Sequence, residues 1–270
     1  MVLVSSSLVY FGGVVIGMHT RVPDYTCPGN QTLPRSTIVL MAYYPERSKV
    51  LADVVSQYTA MVDEIDRVVF IWNNLEVPCP VSDSKRVLVI RPHKNDLNNR
   101  FDVSAAIQTE TVIHVDDDIL LTRMGVRRLI YAYYEPGNRH SLIGYDKRSH
   151  LFSLYLFFHL PGTPQMTLTK SWIVKREFLS SYMASDVSKW VSSGVTVGCE
   201  DLAFCFFHQN ASGLSARVIN INENQCGKSR IDLSSGNVGL SHGFIRWWWY
   251  RSFSCVNNIR RFFPDLPWID

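Results

Sequence analysis

Within residues 36–120, short uninterrupted apolar runs alternate with segments of helical periodicity, and this alternation limits the folds open to the chain. The runs, rich in β-branched residues, are Ser36–Ala42, Arg67–Trp72, Arg86–Ile90 and Thr111–Val115. Strands of this unbroken kind are buried on both faces, as in a parallel sheet that helices cover. Residues 50–62 repeat apolar side chains at helical spacing, and residues 102–108 are a second, shorter helical candidate. The pattern predicts an α/β fold with a mostly parallel central sheet and a Rossmann-like nucleotide-binding half.

The composition is that of an ordinary globular protein. The chain has 270 residues, of which 46% are hydrophobic, enough to bury a full core. Its formal net charge of +3 is small and its basic residues are scattered. Nucleic acid is therefore not an expected partner.

The N-terminal segment is weakly apolar and has no basic residue ahead of it. Residues 1–18 are either a signal-anchor, which would make the chain a single-pass type II membrane protein, or a disordered leader. We favour the anchor because N-glycosylation triplets follow at Asn30 and Asn210. The six cysteines lack the spacing of a zinc site, which leaves buried thiols or disulfides. Together these features predict the lumen of the Golgi or endoplasmic reticulum.

Three consecutive acids, Asp116, Asp117 and Asp118, come directly after the fourth apolar run. Carboxylates this close repel one another and are costly to bury without a counter-charge. In an open α/β sheet, ligands bind at the carboxyl ends of the strands. A manganese or magnesium ion, held by a carboxylate and by substrate phosphates, would supply the counter-charge. A solvated acidic turn is the alternative, and the run alone does not decide between them.

Two further polar segments suit a nucleotide and a reaction centre. In residues 95–101 (NDLNNRF) the amides can bind a base or ribose and Arg100 can bind phosphate, although such segments more commonly form capped turns. Glu200 and Asp201 open an apolar segment that reads as a helix. Asp201 is either a catalytic acid, base or nucleophile, or a first-turn charge that complements the helix dipole.

Six short motifs occur in one order along the chain. They are Trp-Asn-Asn at 72–74, Asn-Asn-Arg-Phe at 98–101, Val-Asp-Asp-Asp at 115–118, Ile-Gly-Tyr at 143–145, Cys-Glu-Asp-Leu-Ala at 199–203, and Arg-Ser at 251–252 with Cys-Val-Asn shortly after. In this order they resemble the exostosin-like glycosyltransferases, retaining enzymes that add α-linked N-acetylhexosamine from UDP-sugars. The resemblance runs from about Thr37 to Pro267. It implies a GT-A-type nucleotide-sugar-binding fold with a smaller acceptor-side subdomain.

The resemblance also implies a domain organisation and a set of partners. A stem or linker at 19–35 would precede a UDP-sugar-binding half at 36–120 and an acceptor-side half at 121–268. The donor would be a UDP-sugar, the cofactor Mn2+ or Mg2+, and the acceptor a glycan or glycolipid. The resemblance leaves room for a homodimer.

Site residues follow position by position from the same resemblance. The residues implied to bind the donor are Arg47, Asn73, Asn95, Arg100, Asp116, Asp117 and Asp118. Asp118 is the one implied to hold the metal ion. Asp201 matches the acid beside the anomeric carbon, where it would form a covalent glycosyl intermediate or stabilise an oxocarbenium-like state during same-face attack.

The C-terminal part of the resemblance is less regular. Cys199 and Cys255 match a pair that is disulfide-bonded in the family. His242 and Arg246 keep the family's spacing, whereas Arg251 lies almost where the family's diphosphate-binding arginine should be relative to Cys255. An insertion near residues 247–250 would explain both, and either Arg246 or Arg251 is the predicted catalytic arginine.

Other positions depart from the family pattern. Met41 stands where the family has glutamine, and Gly198 where it has asparagine. The family's Tyr-Ser-Met-Val-Leu-Thr-Gly segment corresponds to residues 164–170, which end in Lys170. These departures keep open a catalytically impaired, lectin-like protein that binds nucleotide sugar without transferring it. A phosphotransferase is disfavoured because the chain has no glycine-rich phosphate loop.

Overall fold

The structure is a computed structural model that describes residues 9–11, 14–16, 28–29, 31–151, 154–156, 165–194, 198–219, 223–234 and 248–266. Its strands are β1 (Val9–Phe11), β2 (Val14–Ile16), β3 (Ser36–Ala42), β4 (Ile65–Trp72), β5 (Val87–Ile90), β6 (Thr111–Asp116), β7 (Ile119–Leu121), β8 (Ile143–Gly144), β9 (Arg148–Leu151), β10 (Leu154–Leu156), β11 (Gln165–Met166), β12 (Ser171–Lys175), β13 (Arg217–Val218) and β14 (Arg230–Asp232). Its α-helices are α1 (Ser48–Ala60), α2 (Arg123–Tyr134), α3 (Glu177–Met183), α4 (Asp186–Val191), α5 (Glu200–Ser212), α6 (Glu223–Cys226) and α7 (Asn257–Arg260). Single 3-10 turns cover Pro45–Arg47, Leu97–Arg100 and Ser104–Ala106, and a π-helix covers Tyr250–Val256.

Seven of the described strands form the central sheet, in the order β13-β8-β12-β6-β3-β4-β5. The four strands β6, β3, β4 and β5 are parallel to one another, and β12 runs antiparallel between β6 and β8. The parallel strands are those that the apolar runs predict. The expected α/β fold with a mostly parallel central sheet is therefore confirmed.

Side chains of β3 show how the sheet is covered on both sides. Successive residues of a strand point to opposite faces. Ile38 and Leu40 pack in one core with the buried face of α1, and Val39 and Met41 pack in a second core with α3, α4 and α5. A strand that is buried on both faces needs an unbroken apolar sequence, which is why β3 does not alternate with polar residues.

The prediction of a second helix from the sequence is wrong. Residues 102–108 contain only the 3-10 turn Ser104–Ala106. Phe101, Val103 and Ile107 are all buried in the core beside α3, although the four-residue spacing of Val103 and Ile107 would also suit a helix. The segment is therefore shaped by where its apolar side chains are buried and not by local helix preference.

Helix α1 is hydrogen-bonded to the chain just after the acid run. The buried hydroxyl of Tyr58 accepts a hydrogen bond from the backbone N–H of Leu121 at 2.9 Å. Leu121 is the last residue of β7, the short strand that follows the three acids. This bond ties the chain just after the acid run to the helix behind the sheet.

Most of the expected N-terminal leader, residues 1–18, lies outside the described residues. The described parts, β1 and β2, are a pair of antiparallel strands. Among the residues that the structure describes, no helix has both the length and the apolar character needed to cross a membrane. Of the glycosylation candidates, Asn30 is not described, and Asn210 is exposed in the last turn of α5.

Candidate active site

The carboxyl edge of the parallel strands gathers most of the residues that the sequence singles out. Arg47 follows β3, Asn73 follows β4, and Asp117 and Asp118 follow β6. Because β6, β3 and β4 are adjacent and parallel, their ends meet at one edge of the sheet. The loop after β5 returns to the same edge and carries Arg100.

Two of the three acids are paired with arginines from separate loops. Arg100 Nη1 lies 2.9 Å from Asp116 Oδ1, and Arg47 Nη1 is in contact with Asp117 Oδ1. Burial raises the pKa of Asp117 to about 6, although Arg47 opposes this shift. Each arginine therefore offsets the charge of one partly buried carboxylate at this edge.

Asp118 differs from its neighbours. Its Oδ1 atom is buried and has no hydrogen-bond partner among the described residues. Burial and, after it, repulsion by Asp116 raise the pKa of Asp118, and Asp232 raises it by a smaller amount. Lys170 and Arg47 lower it. A buried, repelled and unsatisfied carboxylate oxygen is the environment that a divalent cation would relieve.

The acid run fits a divalent cation for which the protein would supply only some of the ligands. Within the described residues there is no group of three or more His, Cys, Asp or Glu side chains arranged to hold an ion. Asp118 would therefore supply one ligand, and the donor's phosphates and water would complete the shell, as is usual for magnesium and manganese.

Asn73 lies directly after β4, and its side chain is hydrogen-bonded to three neighbours. Its Nδ2 donates to the carbonyl oxygen of Asp96 at 3.0 Å and to Sδ of Met41 at 3.2 Å. Its Oδ1 accepts a hydrogen bond from Nδ2 of Asn99 at 2.8 Å. Asn95 is exposed, and in the described part of the chain its side chain has no hydrogen-bond partner. Asn99 makes the contact to Asn73. The role of Asn95 in nucleotide binding stays a prediction.

Asp201 lies in the first turn of α5 and is buried. Its Oδ2 accepts from Arg251 Nη2 at 2.6 Å, and its Oδ1 accepts from the backbone N–H of Leu202 at 2.7 Å. Burial raises the pKa of Asp201, while Arg251 lowers it. Gly198, just before the helix, has a left-handed backbone with φ of 75° and accepts a hydrogen bond from Arg251 through its carbonyl oxygen. Asn and Gly are the residues that most readily adopt this conformation, which accounts for glycine where the resemblance expects asparagine.

The predicted disulfide between Cys199 and Cys255 is confirmed. It joins the start of α5 to the π-helix, so the loop before Asp201 and the turn that carries Arg251 are covalently linked across a sequence separation of 56. In the chain-entropy model, closing a loop of that size stabilises the fold by about 4 kcal/mol. The disulfide thereby fixes the position of Asp201 relative to Arg251.

The π-helix places Arg251, one of the two predicted arginines, beside Asp201. A π turn contains one more residue than an α turn, and such turns are frequent at functional sites. Here the π-helix buries Arg251 against Asp201, and the ring of Tyr155 lies over the guanidinium, 4.9 Å from ring centre to Cζ. His242 and Arg246 lie outside the described residues. Tyr155 had no signal in the sequence, because its strand β10 is short and far from every motif.

Arg100 connects the two groups of acids. Burial lowers the pKa of Arg100, but Asp116, Glu200 and Asp201 together raise it more. The site is thus a row of alternating charges in which Arg100 lies between the acid run and α5, and Arg251 lies beyond Asp201. Such a row can hold the phosphates of a ligand at one end and the reacting carbon near Asp201 at the other.

Glu200 makes the free energy of unfolding of the protein depend on pH. Burial, and after it the repulsion of Asp201, raises the pKa of Glu200 from 4.5 to about 7. Between these values the folded chain keeps a proton that the unfolded chain has lost, so the free energy of unfolding falls as pH rises through this window. Glu200→Gln should remove up to about 1.4 kcal/mol per pH unit of that slope.

Chemical denaturation at several pH values across this window checks the prediction. Glu76→Gln, in an exposed loop, is the matched control and should keep the wild-type slope. Equal slopes for Glu200→Gln and the wild type would contradict a protonated Glu200 in the folded protein.

The sequence is similar to those of known proteins. Residues 36–270 match the glycosyl transferase family 64 domain. An Exostosin-like-3 homolog from Caenorhabditis elegans is 29% identical over 184 residues, which are 65% of this chain and 22% of that protein. Exostosin-2 from Homo sapiens is 28% identical over 192 residues, 66% of this chain and 26% of that protein. Glucosamine inositolphosphorylceramide transferase 1 from Arabidopsis thaliana is 29% identical over 162 residues, 57% of this chain and 21% of that protein.

The chain spans about a quarter of the length of these relatives. The family match extends over the parallel strands, the acid run, α5 and the π-helix, so it includes every described residue of the charge row. The resemblance drawn from six short motifs is thereby confirmed over nearly the whole chain. This chain belongs to glycosyl transferase family 64.

Proposed function

We propose that this domain transfers a sugar, an N-acetylhexosamine, from a UDP-sugar to a glycan or glycolipid acceptor with retention of the α configuration. The observation that carries the proposal is the half-buried Asp118, whose buried Oδ1 has no partner among the described residues, beside two acids that are already paired with arginines. A donor with a diphosphate and a divalent cation suits that arrangement. The lipid part of the acceptor class draws on one relative whose name specifies an inositolphosphorylceramide.

At the donor end, the chain's own residues would bind and orient the nucleotide sugar. Asn73 is buried at the end of β4, and its amide is hydrogen-bonded to Met41, Asp96 and Asn99, so it would fix the loop around Asn99 beside the base or ribose. Arg47 and Arg100 are held in position by their carboxylate partners and bring two guanidinium charges to the edge where the donor's phosphates would bind. Asp118 would hold the divalent cation, which when bound neutralises charge that develops on the leaving diphosphate.

At the reacting end, Asp201 is the residue that would face the anomeric carbon. Both of its carboxylate oxygens accept hydrogen bonds, one from Arg251 and one from the helix backbone. A carboxylate held in this way is a weak nucleophile but a well-oriented negative charge. This supports stabilisation of an oxocarbenium-like state, with the acceptor attacking from the face that UDP leaves.

We also infer that the protein works in the lumen of the Golgi or endoplasmic reticulum. The Cys199–Cys255 disulfide ties together two parts of the reaction centre and requires an oxidising compartment to form and persist.

A donor screen tests the proposed activity. The purified chain is incubated with UDP-sugars, and with GDP-mannose as the nucleotide control, in manganese or in chelator, and UDP release is measured with and without glycan and glycolipid acceptors. We expect release from a UDP-N-acetylhexosamine in manganese only, and an α linkage in the product by NMR.

Binding without release would instead identify a nucleotide-sugar-binding protein with no transferase activity. Release that continues in chelator would contradict the metal requirement, and release of GDP in place of UDP would contradict the donor class.

A further inference from the structure

Lys170 lies at the edge of the sheet beside the acid run. Ser171, the first residue of β12, pairs with Val115 of β6 in antiparallel register, so the preceding Lys170 comes opposite Asp116. The backbone N–H of Asp116 donates to the carbonyl oxygen of Lys170 at 3.3 Å. Directly opposed residues of antiparallel strands project to the same face. The lysine side chain therefore starts on the same side of the sheet as the carboxylate of Asp116.

A further acid approaches the same corner from β14. Asp232 pairs with Ile119 in antiparallel register, and the backbone N–H of Leu233 donates to the carbonyl oxygen of Asp118 at 2.7 Å. Lys170 is a favourable charge for both carboxylates and acts to lower the pKa of Asp118 and of Asp232. Lys170 thus shares one corner of the site with Asp118 and Asp232.

The ammonium group of Lys170 is not committed to a carboxylate. Lys94, Lys175 and Lys189 each form an ion pair with Nζ within 2.8 Å of an acid. In the described part of the chain Lys170 has no carboxylate within 4.0 Å and no hydrogen bond from its side chain, although it is half-buried. A half-buried ammonium at a ligand-binding edge, with its three donors unused, is available to an anion.

We propose that Lys170 contacts the donor's diphosphate, so that the protein itself supplies part of the positive charge that neutralises it. This inference rests on the proposed function and adds a positioning cation to the same site. Lysine binds phosphate as a compact point charge, and its flexible side chain can move from the acids to a phosphate oxygen when the donor arrives.

The inference predicts UDP binding that depends on Lys170 even without a divalent cation. UDP affinity is measured by calorimetry in chelator and in manganese for the wild type, Lys170→Met and Lys170→Arg. Lys170→Met should weaken binding by about tenfold or more in chelator, because it removes a charge-assisted contact to phosphate. Lys170→Arg should retain most of the affinity, because it keeps the charge.

Lys175→Met is the matched control. It removes a lysine from the other end of the same strand, where Lys175 pairs with Glu177, and should leave UDP affinity unchanged. Melting temperatures of the unliganded variants verify that each one is folded.

The proposal is overturned if Lys170→Met binds UDP as tightly as the wild type in both buffers. A variant with stronger manganese binding and unchanged UDP affinity in chelator would likewise overturn it, since Lys170 would then be only a counter-ion of Asp118. These outcomes leave UDP release by the wild type intact. A wild-type protein that binds no UDP in either buffer would instead refute the proposed function.

Discussion

Asp201→Asn should lower the rate of sugar transfer by a factor of ~100 or more while changing UDP affinity little. The substitution keeps the shape of the side chain but removes the negative charge that we place beside the anomeric carbon. Asp201 contacts Arg251 and the backbone of its own helix, at the far end of the charge row from Asp118. A group whose interactions matter mainly in the transition state affects turnover more than ground-state binding.

The test combines single-turnover rates, UDP affinity and thermal melting. The melting curve is needed because the variant leaves Arg251 buried without its counter-charge, which can destabilise the fold. Asp186→Asn is a matched control, since Asp186 is also in the first turn of a helix but is exposed and paired with Lys189. If UDP affinity fell as far as the rate, Asp201 would have a structural role.

Asp118→Ala should abolish transfer and also remove the stabilisation that UDP and manganese together give the protein. A ligand raises the melting temperature only while its site exists, by an amount that depends on its concentration relative to Kd. Asp118 is the only member of the acid run with a buried carboxylate oxygen that has no partner among the described residues, so we expect the cation to depend on it.

Thermal shifts with UDP alone, manganese alone and both together measure this effect. Asp102→Ala removes an exposed acid from a neighbouring loop and should behave as the wild type. The metal assignment would be refuted by Asp118→Ala protein that still shows the full shift with both ligands present.

Much of the fold could be predicted because burial leaves a clear pattern in the sequence. Strands β3, β4, β5 and β6 contribute side chains to the cores on both faces of the sheet, so most of their residues are apolar. The parallel arrangement then places the ends of adjacent strands together, and the acid run at the end of β6 becomes a site candidate. Residues 102–108 were not predictable in this way, because the four-residue spacing of the buried Val103 and Ile107 suits a helix while the segment forms only a 3-10 turn.

The partners of the site residues were less predictable. Arg47 and Asp117 are 70 residues apart, and Arg251 and Asp201 are 50 residues apart. No local pattern marks such a pair, because either charge could equally have faced solvent. The hydrogen bond from Asn99 to Asn73 likewise depends on the path of the chain through the 3-10 turn Leu97–Arg100.

The sequence alone determined the α/β class, the edge at which the site forms, and the family resemblance with its disulfide, because these follow from hydrophobic periodicity and from motifs in one order. Only the tertiary structure decided that Arg100 lies between the two acid groups, that Asp118 keeps an unsatisfied oxygen, and that Lys170 shares its corner. The physical reason is that charge pairing depends on distances of a few ångströms between segments far apart in the chain. Those distances are set by the packing of helices and strands and not by the residues on either side of each charge.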